Sequence, residues 1–166
     1  MFVIAVKSKL KTKKAKVILA LTVLVLCLLI VFACVSAFSN TPKSHAYCEG
    51  FGEYVTLAET DEQVEDFVQQ FYKAEQLYSL QEIYVPVEFN DKYEQYNELQ
   101  KLQGLDLEPY KGEKCKLYMY LLSDFEIDEE QAIMSVIVYN NRVIGGDISN
   151  QVIGSKYYTF YGEQVS

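Results

Sequence analysis

The sequence predicts an α+β domain preceded by an N-terminal transmembrane helix. A long, uncharged apolar segment near the N-terminus predicts the membrane helix. Two later segments with apolar residues at helical spacing, and several alternating or β-branched segments, predict the domain. We expect two helices packed on one face of a mostly antiparallel sheet of four to five strands. The length of 166 residues is sufficient for one domain with a buried core.

The predicted transmembrane helix covers residues 17–38, which read VILALTVLVLCLLIVFACVSAF and contain no charge. A helix of this length spans roughly 33 Å, enough for a bilayer core of about 30 Å. Residues 1–16 contain six Lys and no acid, which favours the cytoplasmic side of the membrane. The sequence therefore predicts a single-pass protein of the cell membrane, with a cytoplasmic tail (1–16), a span (17–38), a tether (39–59) and an extracytoplasmic domain (60–166).

Two other fates of the N-terminal segment stay open. Small residues near position 36 are compatible with cleavage of a signal peptide, which would yield a secreted protein. Lipid modification of Cys34 would yield a lipoprotein, although Phe32 fits poorly with the small residues that such processing prefers. We expect the anchor to be retained because the apolar segment is longer than the roughly 7–15 residues typical of a signal peptide.

The outer part of the chain is acidic and rich in tyrosine. The chain has 23 acidic and 15 basic residues, a net charge of −8, and every acid follows residue 48. Because an acidic surface repels phosphate, we predict no nucleic-acid partner. All 14 Tyr also lie in the outer part, and tyrosine-rich surfaces suit the recognition of proteins or sugars.

Two cysteines, Cys48 and Cys115, lie in the predicted outer part, where an oxidising setting permits a disulfide. A bridge that closes so long a loop would stabilise the fold by roughly 4 kcal/mol. Two reduced thiols are the alternative. Because a structural zinc site needs four ligands and these two cysteines supply only two, the pair makes no convincing zinc site, and we predict neither a metal nor a cofactor.

Two helices are predicted in the outer domain. The first begins at Thr60, which forms a capping box with Gln63. The second covers Asn90 to about Gln103 and ends at Gly104.

The strands are predicted from alternation, β-branched residues and turn signals. In order, they cover Leu80–Val85, Lys114–Leu122, Ala132–Tyr139, Arg142–Ser149 and an edge strand at Tyr157–Tyr161. Asn140 and Asn141 form a plausible hairpin turn, and Gly145 and Gly146 predict a bulge or a close approach by another backbone. Residues 124–130 contain five carboxylates and are predicted to form a solvated loop.

A stripe of aromatic and amide side chains on the second helix permits two interpretations. If buried, the amides must find partners, and they would then cap the neighbouring loop. If exposed, they would form a recognition surface together with tyrosines from the polar face of the Lys114–Leu122 strand. The candidate binding face consists of Tyr93, Tyr96, Asn97, Gln100, Tyr118 and Tyr120.

No catalytic set emerges from the sequence. The single His, His45, lies in the predicted tether, and no Ser-His-acid or Cys-His arrangement can be built around it. A hydrolase of the cell envelope that uses a carboxylate pair stays an alternative, because spacing along the chain does not fix spacing in the fold.

A resemblance to a known family rests on a series of motifs. They are Ile83-Tyr84-Val85-Pro86, Phe89, Tyr93, Tyr96-Asn97, Leu99-Gln100-Lys101, Gln103-Gly104, Asp106-Leu107, Tyr110, Gly112, Val138-Tyr139 and Val143-Ile144-Gly145-Gly146-Asp147-Ile148. From roughly Asp61 to Phe160 the chain resembles the bacterial family catalogued as domain of unknown function number 4830. The chain departs from the family at Tyr72-Lys73, where members tend to have Gly-Trp.

The resemblance implies a fold and a location but no activity. Members of the family often carry one N-terminal membrane span. The positions that we expect to be structurally required are Gly104, Asp106, Gly112, Gly145, Gly146 and Asp147. Taken together, these observations predict a non-enzymatic, membrane-tethered binding or sensory module whose partner is a protein, a peptide or an envelope component.

Overall fold

The computed structural model describes residues 18–30, 44–150 and 156–165. Residues 18–30 form a helix, α1, and every side chain in it is exposed. Within the described ranges, no helix is both long and apolar enough to cross a membrane. The predicted tail, the remainder of the predicted span and Cys34 lie outside these ranges. The chain divides into two compact units, Met1–Asn40 and Thr41–Ser166.

The second unit contains two antiparallel sheets and two helices, which confirms the predicted α+β class. A two-stranded sheet pairs β1 with β2, and the main sheet has the order β3-β4-β5-β6-β7-β8, in which the last two strands are two residues long. The strands are β1 (His45–Cys48), β2 (Gly52–Val55), β3 (Ala74–Tyr84), β4 (Lys114–Ile127), β5 (Glu130–Tyr139), β6 (Arg142–Ser149), β7 (Tyr157–Tyr158) and β8 (Gln164–Val165).

Part of the predicted tether is folded into the domain. The β1–β2 hairpin buries Ala46, Cys48 and Tyr54 in the core. The Tyr54 hydroxyl donates a hydrogen bond of 2.6 Å to the backbone carbonyl of Gln103. The prediction that the whole of residues 39–59 is a tether is therefore wrong for this hairpin, because its alternate side chains are apolar and buried.

Both predicted helices are present. Helix α2 covers Asp61–Gln69, and its N-cap Thr60 accepts a hydrogen bond from the backbone N–H of Gln63, as the capping box predicts. Helix α3 covers Asp91–Leu102, and the Asn90 side chain caps it by accepting from the N–H of Tyr93.

The two helices lie on opposite faces of the main sheet, and the prediction of one shared face is wrong. Phe67 of α2 belongs to the same apolar cluster as Tyr118 of β4. Tyr93 and Tyr96 of α3 pack against a second cluster, which contains Ile137 of β5. Because side chains alternate across a strand, these two clusters cover the two sides of β4 and β5.

The acidic segment predicted as a loop is mostly strand. Strand β4 continues to Ile127, and only Asp128 and Glu129 turn, with φ of 53° and 68°. Ile127 is 3% exposed, and the ring of Phe125 lies 4.9 Å from that of Tyr72. These two apolar residues alternate with acids, so the strand pattern continues through the segment and the acids occupy the solvent side.

Gly145 and Gly146 of β6 lie at a bulge and at a close approach of two backbones, as predicted. The register of β5 and β6 shifts between Ile137 and Val138, which places a bulge beside Gly145. A Cβ on Gly146 would lie 2.1 Å from the carbonyl oxygen of Ser135, so the two backbones approach closely. The predicted Asn140–Asn141 turn is also present, with φ of 46° and 64°.

Candidate functional site

Most of the predicted binding face is buried, so the prediction of an exposed surface is wrong. Asn97 and Gln100 are 0% exposed, and Tyr118 and Tyr120 are 2% and 3% exposed. Tyr118 and Tyr120 lie on the α2 side of the sheet, whereas Tyr93 and Tyr96 pack on the α3 side. The structure therefore does not bring these six residues together.

Asn97 caps the loop that follows α3, which confirms the structural interpretation of this amide. Its Oδ1 accepts a hydrogen bond of 2.7 Å from the backbone N–H of Leu107, and its Nδ2 donates one of 2.8 Å to Asp106 Oδ1. The same oxygen of Asp106 accepts from the N–H of Glu108 at 3.0 Å. Asp106 thus links the side chain of Asn97 to the backbone of the turn that follows α3.

Two glutamine amides of α3 and its C-cap complete the free edge of β6 near Gly146. The N–H of Gly146 donates to Gln100 Oε1 at 2.8 Å, and Gln103 Nε2 donates to the carbonyl oxygen of Gly146 at 3.0 Å. Gln103 Oε1 also accepts from the N–H of Phe160 at 2.6 Å. The two side-chain amides thus form the hydrogen bonds with Gly146 that a neighbouring strand would otherwise form. The sequence analysis did not include Gln103 among the candidate residues, although Gln103 follows Asn97 and Gln100 at the same spacing of three residues.

Cys48 and Cys115 are free thiols, so the structure shows the second of the two alternatives that the sequence leaves open. Cys48 belongs to the cluster on the α2 side and donates to the carbonyl oxygen of Leu102 at 3.0 Å. Cys115 belongs to the cluster on the α3 side. Burial raises the pKa of Cys115 to about 11, so this thiol is protonated at neutral pH. The sheet between the two clusters explains why the cysteines do not pair.

Asp147 is a buried carboxylate with one unsatisfied oxygen. It is 5% exposed, and its Oδ1 accepts a hydrogen bond of 2.9 Å from the Tyr96 hydroxyl. Its Oδ2 has no hydrogen-bond partner among the described residues. Burial raises the pKa of Asp147 to about 6, although hydrogen bonds from Tyr96 and Ser149 oppose the rise.

Replacing Asp147 with Asn should change the pH dependence of stability. Because the pKa of Asp147 in the folded state lies above its unfolded value, the contribution of Asp147 to stability should fall as pH rises from about 4 to about 6, and then remain level. The amide of D147N carries no charge, so at pH 8 the variant should be more stable by on the order of 2 kcal/mol. Urea unfolding at pH 4.5 and pH 8 measures the difference. An equal difference at both pH values would contradict this account.

The most exposed strand of the domain is β3, at one edge of the main sheet. In the part of the chain that the structure describes, only β4 pairs with it. The strand is 11 residues long, and four of its large apolar or aromatic side chains are exposed, namely Leu77 (44%), Tyr78 (50%), Leu80 (45%) and Tyr84 (65%). Lys and Pro are two of the means by which natural edge strands avoid unwanted pairing, and β3 has neither, whereas bulges interrupt its first half.

The second half of β3 directs hydrogen-bonding groups away from the sheet. The N–H of Val85 donates to Glu113 at 3.0 Å, and Gly112 donates back to Val85 at 2.8 Å, so Val85 bonds toward β4. In an antiparallel ladder, the alternate residues direct their N–H and C=O groups outward. These residues are Leu80, Glu82 and Tyr84. The register in this half of the strand is continuous, so the outward groups form a regular row.

Two pockets include residues of β3 in their linings. Asp61 lines the first and Tyr118 the second, and the Tyr118 hydroxyl donates a hydrogen bond of 2.7 Å to Asp61 Oδ1. We call the first the acidic pocket. It has a volume of about 230 Å³ and is lined by Asp61, Glu62, Glu65, Ala74, Glu75, Gln76, Leu77 and Tyr120. The second, of about 250 Å³, includes Glu82, Lys114, Lys116 and Tyr118 in its lining. Tyr118 and Tyr120 therefore contribute to pocket walls rather than to an open face.

Comparison with known proteins identifies one related family. No curated protein and no solved structure matches the chain. The matching family model spans α3, strands β3 to β5, all but the last residue of β6, and only the last three residues of α2. Residues 67–148 match the model described as Domain of unknown function (DUF4830), so the resemblance that the motifs predict is confirmed over this part of the chain.

Proposed function

We propose that the protein is a single-pass membrane protein whose outer domain binds an extended segment of a partner protein along β3. The observation that carries the binding proposal is the outer side of β3, which pairs with no other described strand and has a regular row of outward groups at Leu80, Glu82 and Tyr84. A peptide that adds to such an edge gains main-chain hydrogen bonds at every second residue. The exposed Leu77 and Leu80 would add apolar contact.

The membrane anchor is supported by the sequence around α1. The large apolar side chains of α1 are all more than half exposed, from 53% at Val23 to 61% at Ile18. Exposed apolar area of this kind is costly in water and favourable in lipid. The lysine-rich segment 1–16 supports a cytoplasmic N-terminus and an outer location for the acidic domain.

Binding is better supported than hydrolysis. A carboxylate-pair hydrolase needs an acid of raised pKa that faces a second carboxylate across a cleft. Asp147 has the raised pKa, but it lies beneath Tyr96 and lines neither pocket that flanks β3. We therefore propose a binding module.

Selection of peptides against the full chain tests the proposal. The protein is extracted from membranes in a mild detergent and used to select ten-residue peptides from a random display library. A selected peptide should slow hydrogen exchange at the outward amides of Leu80, Glu82 and Tyr84 by at least about tenfold, because they become hydrogen-bonded. The amides of Gln81 and Ile83 bond toward β4 and should not change.

A pair of matched variants controls the experiment. Leu80→Lys introduces a charge on the edge strand and should weaken peptide binding by about tenfold or more. Leu102→Lys makes the same change at a 58% exposed position on α3 and should leave binding unchanged. Equal effects of the two variants, or protection that lies outside β3, would contradict strand addition. An intact mass below 19.1 kDa would contradict the retained anchor.

A further inference from the structure

The regular part of the β3 edge is short and is bounded at both ends. Two register shifts interrupt the pairing with β4 between Ala74 and Ser79, and the residues of β3 that line the acidic pocket lie in this bulged half. At the other end, Pro86 occupies the position where the next outward N–H of the row would be, and proline has no N–H. The regular edge is therefore confined to Ser79–Val85.

This segment is symmetric about Glu82. Its outward-directed residues are Leu80, Glu82 and Tyr84, so Glu82 is the middle residue of the row and also of Ser79–Val85. A second copy, placed antiparallel about a two-fold axis at Glu82, would bring Leu80 of each copy opposite Tyr84 of the other. The two Glu82 residues would lie opposite each other, and every outward N–H and C=O group of the row would have a partner. Two identical edges are therefore complementary over the whole regular segment.

The apolar side chains fit the same register. Leu80 and Tyr84 lie on one face of the sheet, because they are separated by an even number of residues in a regular strand. They are 45% and 65% exposed. In the two-fold arrangement, the exposed leucine of each copy lies against the exposed tyrosine of the other, so both lose contact with water.

The charge at the centre of the segment is compensated. Two glutamates directly opposite each other would repel and would destabilise the pairing if nothing opposed them. In each copy, however, Lys114 Nζ lies 2.8 Å from Glu82 Oε1, and Lys116 is the residue opposite Glu82 on β4. Although the outer part of the chain is acidic, this part of its edge therefore carries more Lys than Glu.

We propose that the extended segment that binds β3 is β3 of a second copy of this chain, paired antiparallel about a two-fold axis at Glu82. The inference rests on the proposed function and names the partner. A foreign strand can form the same main-chain hydrogen bonds, but a second copy also supplies a regular segment of equal length, the facing apolar side chains and the compensating lysines. Anchoring in one membrane raises the effective concentration of the two copies, so a short interface suffices.

Disulfide formation between single-cysteine variants tests the register, on the full chain in mild detergent. Cys27 and Cys34 are replaced by Ser in every variant, and the other two native cysteines are buried. In Glu82→Cys, the two cysteines would lie opposite each other with their Cα atoms about 5.5 Å apart, within the range of a disulfide. In the matched variant Leu80→Cys they would be displaced along the strands by about 13 Å. Under mild oxidation, Glu82→Cys should therefore form the cross-linked dimer at least about tenfold faster.

Charge variants test the compensation by lysine. Glu82→Lys places two further lysines beside Lys114 and Lys116, and it should weaken the dimer by about tenfold or more in sedimentation equilibrium. The double variant Glu82→Lys, Lys114→Glu restores the ion pair of each copy with its signs exchanged, and it should recover the wild-type affinity within about twofold. Both positions are exposed, so neither variant should change the urea unfolding midpoint. A double variant that dimerises as weakly as Glu82→Lys would overturn the two-fold axis at Glu82.

A probe peptide and the cross-linking result separate the second copy from strand addition in general. A blocked peptide of residues 79–85 should slow cross-linking of Glu82→Cys, and a scrambled peptide of the same composition should bind at least about fivefold more weakly. Equal cross-linking of Glu82→Cys and Leu80→Cys, with protection of β3 by peptides from the display library, would overturn the second copy and leave strand addition standing. Equal cross-linking without protection by any peptide would overturn both proposals.

Discussion

Replacing Gly146 with Ala should destabilise the outer domain by about 3 kcal/mol or more, the upper end of the loss seen when a core is overpacked. A Cβ here would lie 2.1 Å from the carbonyl oxygen of Ser135 and 2.8 Å from Cζ of Phe160. The first atom belongs to the backbone of β5, in the interior of the sheet, and Phe160 is 0% exposed. Neither can move without displacing the sheet or the core.

Urea unfolding of the full chain in mild detergent, followed by the tyrosine signal, measures this loss. Gly50→Ala is the matched control, since Gly50 also has positive φ (89°) but nothing lies within 4 Å of an added Cβ. That variant should lose only about 1 kcal/mol, the cost of left-handed backbone in a residue with a Cβ. Equal losses in the two variants would contradict the close approach of β5 and β6.

Replacing Gln103 with Met should cost about 4 kcal/mol in the free energy of unfolding. Met has a similar length, but it cannot hydrogen-bond the N–H of Phe160 or the carbonyl oxygen of Gly146, both of which the Gln103 amide satisfies at 2.6 Å and 3.0 Å. Gln103 is 0% exposed, so water does not reach the abandoned groups in the native fold. Each buried group left unsatisfied costs about 1–3 kcal/mol.

The same urea unfolding measurement tests this prediction. Gln69→Met is its control, because Gln69 lies on the exposed side of α2 and hydrogen-bonds only Glu65, at 3.0 Å. The control should change the free energy of unfolding by no more than about 0.5 kcal/mol. Hydrogen exchange at Phe160 should also accelerate in the Gln103 variant. A loss for Gln103→Met as small as that for the control would mean that the amide does not complete the edge of β6.

Local signals predicted most of the secondary structure. The capping pair Thr60 and Gln63 marks the start of α2, and the Asn140–Asn141 turn has the positive φ that the hairpin requires. The continuation of β4 to Ile127 was missed, although Phe125 and Ile127 alternate with acids. Five acids in seven residues favoured the prediction of a loop over that of a strand. The burial of Ile127 depends on packing with distant parts of the chain, which a local sequence pattern does not show.

The candidate site depended on information that the sequence does not contain. Alternation in β4 assigns Tyr118 and Tyr120 to a common face, but it does not say that α2 covers that face. The predicted surface is therefore buried, and the exposed strand is β3, which the strand order of the described residues places at one edge of the main sheet.

The sequence by itself determined the helix boundaries, the hairpin turn, the division of charge and the need for glycine at position 146. These features follow from local backbone preferences and side-chain chemistry. Only the tertiary structure decided which faces are covered, that β3 is an edge, and that Gln103 completes the edge of β6. The reason is physical: such contacts join residues far apart in the chain, as Gln103 joins Phe160, and their energy depends on strand order and helix placement rather than on neighbouring residues.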